Sequence, residues 1–83
     1  MFFDFRSILL NMGEEEQILY MQVRLFRMFA ERFNKTLKQT AELFEQYNVL
    51  SFIKDGFGIF HVESDEAVFE ETKDFLKAKG VSL

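Results

Sequence analysis

Apolar residues recur with helical spacing in three stretches of the 83-residue chain, and polar residues with the chemistry of helix caps stand between them. In the first stretch, residues 14 to 33, Ile18, Leu19, Val23, Leu25, Phe26, Phe29, Ala30 and Phe33 project onto one arc. Met21 and Met28 widen it, and Arg24, Arg27 and Glu31 lie opposite. The arc covers about 220°, against the ~100° that a surface helix needs, so this helix is either central to the fold or partly covered by another subunit. Asn11 and Glu14 have capping-box spacing, and Glu14, Glu15 and Glu16 suit the positive end of a helix. Gln22 falls inside the arc, where an unpaired amide is costly, and is read as a core glutamine with a hydrogen-bond partner.

The second stretch predicts a helix from Thr36 to about Tyr47. Thr36 and Gln39 form a capping box, and Leu37, Ala41, Phe44 and Tyr47 are its buried stripe. Asn48 suits the left-handed residue that ends it. VLSFI, residues 49 to 53, continues as a turn of helix or an extended piece until Asp55, Gly56 and Gly58 break it. The third stretch begins at Ser64 as N-cap, with Asp65 and Glu66 in its first turn and Lys73, Lys77 and Lys79 towards its end, in the order the helix dipole favours. Val68, Phe69, Thr72, Phe75 and Leu76 face inward, and Gly80 followed by Val81 reads as a left-handed C-cap with its hydrophobic contact.

Between the second and third helices, FGIFHVE (57 to 63) alternates Phe57, Ile59, His61 and Glu63 against Gly58, Phe60 and Val62, which predicts a strand-like connector. FFDFRSILL near the N-terminus alternates in part, so a minor two-strand pairing with the connector is an alternative to an unpaired one. The expected fold is therefore mainly α: three principal helices and one short extended connector. Residues 13 to 83 form a single small helical domain and residues 1 to 12 an apolar N-terminal extension.

A chain of this length removes only about 60 to 65% of its unfolded surface from water on folding. With no cysteine to add a disulfide or a thiolate metal site, the core must come from packing, and the expected location is cytoplasmic. Twelve phenylalanines are many for that core, which raises the prospect that some serve a partner. Asp4 and Arg6 interrupt the N-terminal apolar run, which is too short for a membrane span and has no basic leader, so neither a signal peptide nor a membrane helix is expected.

The net charge of −4 changes the picture further, because residues 1 to 54 are balanced and the excess acid lies entirely in residues 55 to 83. Nucleic-acid binding, which needs clustered lysine and arginine, is disfavoured, and an acidic face for a basic protein partner is favoured. Glu63, Asp65, Glu66, Glu70 and Glu71 are the candidate contact residues.

His61 is the one histidine and the anchor of any catalytic reading. Glu63, two residues on, would share its face in a strand and form an acid–base pair, yet no nucleophile or oxyanion donor accompanies them, so no enzymatic activity is expected. His61, Glu63, Asp65 and Glu66 fall short of a zinc signature, and Gly56 and Gly58 lack the length and lysine of a phosphate loop, so neither metal nor cofactor is expected. The favoured reading makes Gly56, Gly58, His61 and Ser64 a structural motif. In it the His61 ring is partly buried beside Phe60 and Val62 and donates to a backbone carbonyl.

Gln46-Tyr47-Asn48-Val49-Leu50-Ser51-Phe52-Ile53, then Gly58-Ile59-Phe60-His61-Val62-Glu63, then the acidic helix from Asp65 to Lys79 follow one another in an order and spacing that resemble a bacterial family, domain of unknown function 3791. Its members read as a long helix, a capped helix ending in K-Y-x-V-x-x-Y-I, a D-V-L-H-T-Q-like motif and a closing acidic helix. The resemblance runs from Glu15 to Val81. It implies a companion of ADP-ribosyltransferase-like proteins, hence a partner or neutraliser, with a homo-oligomeric scaffold as the competing reading. Val62 and Glu63 stand where the family usually has Thr and Gln, which puts in doubt the hydrogen bonding those two would offer beside the histidine. Members usually begin near the equivalent of Met12-Gly13-Glu14-Glu15, so translation starts either at Met1 or at Met12.

Overall fold

In a computed structural model, residues 13 to 83 are described, and they form four helices: α1 (Glu14–Arg32), α2 (Leu37–Gln46), α3 (Val49–Phe60) and α4 (Asp65–Ala78). The helical class is as expected; the count of three and the extended connector are not. No strand occurs among the described residues, and the proposed strand partner, together with the question of the start, lies outside them.

Residues 55 to 60, read as a breaker and the start of a strand, lie within α3, and His61 to Glu63 form the turn after it. Val49, Ile53, Phe57 and Phe60 recur at helical spacing, and all four are buried. Burying those four side chains outweighs the ~1 kcal/mol that each internal glycine costs a helix. Gly56 has a positive reason to be there, since the Phe60 ring folds back over it and an added Cβ would lie 2.3 Å from a ring carbon. Gly58 faces open space.

The ends of α2 and α4 follow the sequence signals closely, and the start of α1 does not. Gly13, rather than Asn11, is the N-cap of α1. The Thr36–Gln39 capping box closes in both directions, at 3.0 and 2.9 Å, and the Ser64 hydroxyl accepts the Ala67 N–H at 3.1 Å. Asn34, Asn48 and Gly80 take positive φ at the turns after α1, α2 and α4. At the last of these the Val81 N–H returns to the Leu76 carbonyl.

Helix α1 packs against each of the other three, while α3 also touches α2 and α4. Leu25 and Phe29 sit fully buried at the centre, and the Phe29 ring meets Phe33, Phe44 and Phe69 at centroid distances of 5.4, 5.5 and 4.7 Å. Phe52 stacks on Phe75 at 4.2 Å. All the phenylalanines from Phe26 onwards belong to the core or lean on it, so in this part of the chain the aromatic surplus is internal. Two threonines are fully buried because each hydroxyl donates one turn back, Thr40 to Thr36 O and Thr72 to Val68 O. Thr40 thereby rotates the buried stripe of α2 to Thr40, Leu43, Phe44 and Tyr47, and leaves Leu37 and Ala41, expected inside, exposed.

Candidate functional site

His61 caps α3 where the chain turns towards α4. Its Nδ1 lies 2.8 Å from the Phe57 carbonyl oxygen, which also accepts the His61 backbone N–H, and its ring stacks on Phe57 at 5.4 Å. With the proton on Nδ1 the ring donates to that carbonyl at the helix end. The residue is exposed and its ring rests on Phe57, not beside Phe60 and Val62 as expected, because helical spacing turns Phe60 inward and Val62 points out to solvent.

Beside His61 a depression of about 170 Å³ is lined by Gln17, Tyr20, Met21, Arg24 and Phe57. Arg24 lies over the Tyr20 ring, 4.7 Å from its centroid, and grips Asp65 with a two-pronged fork, Nε to Oδ2 at 3.0 Å and Nη2 to Oδ1 at 3.1 Å. The guanidinium that would attract an anion here is already paired. The pair joins α1 to the first turn of α4 across 41 positions, a contact that the place of Arg24 opposite the apolar arc did not reveal.

The five candidate contact acids divide. Asp65 is held by Arg24, Glu66 by Arg32, and Glu70 by Lys73 at 2.8 Å. Hydrogen bonding from Arg32 lowers the Glu66 carboxyl below its ordinary range. Glu63 instead acts on Glu71. Partial desolvation, the charge of Glu63, a hydrogen bond with it and the charge of Asp74 together push the Glu71 carboxyl up. Among the described residues no cation pairs with Glu63, Glu71 or Asp74, and no three histidine or carboxylate side chains converge to hold a metal ion. Gly56 and Gly58 lie within α3, and Ser64 is the cap of α4.

A second feature was visible in the sequence only as the excess width of the α1 arc. Leu19 (60% exposed) and Val23 (43%) on α1 lie beside Leu50 (45%) on α3, around the half-buried Phe26. Together with Gln22 they line an apolar depression of about 170 Å³, and a shallow groove of about 460 Å³ continues it from Phe26 and Leu50 to Ala41, Phe44 and Asn48. The Gln22 amide donates to the Leu50 carbonyl at 2.8 Å, an exposed bond that ties α1 to α3 at the patch and satisfies the glutamine that the arc contains. Leu37, Ile59 and Val62 are also exposed but line none of these depressions. No helix among the described residues is long and apolar enough to cross a membrane.

No curated protein and no solved structure matches the chain. Residues 20 to 79, which take in the apolar face apart from Leu19, the His61 junction and the whole of the acidic helix, match the family described as "Protein of unknown function (DUF3791)", and the chain belongs to that family.

Proposed function

We propose that this protein is a protein-interaction domain without catalytic function, and that its contact surface is the apolar face of Leu19, Val23, Phe26 and Leu50. One observation carries the reading: every phenylalanine from Phe26 onwards belongs to the core or leans on it, yet two aliphatic residues one turn apart on the central helix remain in water beside a third from α3. Clustered apolar side chains around a depression lose free energy to water that a partner would recover. Catalysis has little to support it, since His61 is turned to a backbone carbonyl and Arg24 to Asp65.

The acidic edge at Glu63, Glu71 and Asp74 is a second, weaker contact zone. A basic partner placed there would relieve the crowding of like charge. An ADP-ribosyltransferase-like protein, the partner class that the family resemblance implies, would have to present lysine or arginine to it.

Site-specific photo-crosslinking in the native cell tests the reading. A photoreactive residue at position 19, 23 or 50 is expected to give a covalent adduct with a protein, whether another copy or a different chain, and the same residue at exposed Lys38 is not. Failure of all three patch positions to form an adduct would overturn it.

A further inference from the structure

Resting on that reading, we infer that the partner of the α1 face is a second copy of this chain, its α1 lying antiparallel to the first across a two-fold axis. The exposed side of α1 carries its residues in an order that suits itself when reversed. At 100° per residue, Glu16, Leu19, Val23 and Arg27 fall within about 80° of arc, with Glu16 and Arg27 on one flank of Val23 and Leu19 and Phe26 on the other. A two-fold axis perpendicular to the helix keeps each flank against the same flank of the partner and reverses the direction. With the axis near residue 21, Leu19 meets the partner's Val23 and Glu16 meets the partner's Arg27, each contact occurring twice. A parallel pair, related by a two-fold axis along the helices, would instead set the flank of Glu16 and Arg27 against the partner's flank of Leu19 and Phe26 and leave both charges unmatched.

The state of the arginines supports this register independently. Arg24 and Arg32 are held within the fold by Asp65 and Glu66, whereas Arg27 is exposed and, among the described residues, has no ion pair. Glu16 at the other end of the stripe is likewise exposed and ion-paired with none. The two unmatched charges flank the two unmatched apolar residues on one face, which is the arrangement that fixes orientation in antiparallel helix pairs.

Sedimentation velocity of the full chain tests the inference, with circular dichroism to confirm that each variant keeps its helices. The parent is expected to sediment as a dimer. Arg27→Glu or Glu16→Lys, each of which places like charges together twice, is expected to weaken dimerisation about tenfold. The double variant carrying both reversals is expected to recover most of the lost affinity. A monomeric parent, single reversals that leave the dimer unchanged, or a double variant as weak as the singles would each overturn it. A monomeric parent whose position 19 crosslinks to a different protein, or to residues 1 to 12 of its own chain, would refute the second copy. The first outcome would leave the interaction reading standing, and the second would remove that too.

Discussion

Gly56 and Gly58 stand two residues apart in one helix and have opposite reasons to be glycine. At position 58 a methyl group meets nothing within 4 Å, so Gly58→Ala removes only the entropic penalty of glycine and is expected to stabilise the fold by about 1 kcal/mol in urea denaturation. At position 56 the same change drives a Cβ to 2.3 Å from the Phe60 ring, which is itself buried and packed on Phe52. Gly56→Ala is expected to lose more through repacking than it gains in propensity, with a net destabilisation of about 1 to 2 kcal/mol. Equal shifts for the two variants would show that Phe60 does not lie over Gly56. At Glu71 the sign follows from linkage. Its folded carboxyl titrates above the unfolded value, so the folded state binds the proton more tightly, and stability falls as pH rises through that window and stays reduced above it. Glu71→Gln is therefore expected to raise the melting temperature near pH 7. The gain should vanish below about pH 4, where the carboxyl is protonated in both states. A gain that persists in acid would place its origin elsewhere.

At the scale of elements, helix ends were the most legible part of the sequence and α3 the least. Caps are written locally: Thr36 with Gln39, Ser64 before two acids, Asn48 and Gly80 each place their signal within three residues of the turn they make. Asn48 holds φ at 54°, so Asn48→Ala is expected to cost about 1 kcal/mol while Asn48→Gly is tolerated, as thermal or urea unfolding would show. Equal tolerance of alanine would mean that the α2–α3 turn relaxes. Helix α3 is obscured in the sequence because its last four residues, Phe57 to Phe60, belong to a seven-residue run, Phe57 to Glu63, that fits a two-residue alternation, and its glycines look like breakers until Phe60 is seen to occupy the space of a missing side chain. The deciding pattern, Val49–Ile53–Phe57–Phe60, runs across the boundary at which the sequence appeared to break. His61 shows the same limit. A backbone carbonyl as its partner was legible from chemistry, but its position at a helix end, resting on Phe57, depended on the fold. Pairings distant in sequence, Arg24 with Asp65 and Arg32 with Glu66, were not legible at all, since periodicity gives each helix its faces but not its neighbours.

At the scale of the whole molecule, one central helix contacts the other three, and the phenylalanines from Phe26 onwards belong to the core or lean on it, leaving two unequal surfaces over. Glu63, Glu71 and Asp74 repel one another and suit a basic contact; Leu19, Val23 and Leu50 form an apolar face whose flanking charges complement a second copy. These surfaces occupy different parts of the fold, so a dimer through α1 leaves the acidic edge available to another protein. Broadening of methyl signals by a soluble nitroxide in the NMR spectrum of the full chain tests the covered face most directly. Leu19, Val23 and Leu50 are accessible in the single chain, as are Leu37, Ile59 and Val62 outside the face. Under conditions where the dimer forms, the first three are expected to be protected from broadening and to lose that protection on dilution, while the other three broaden throughout. Equal broadening of all six at every concentration would contradict it.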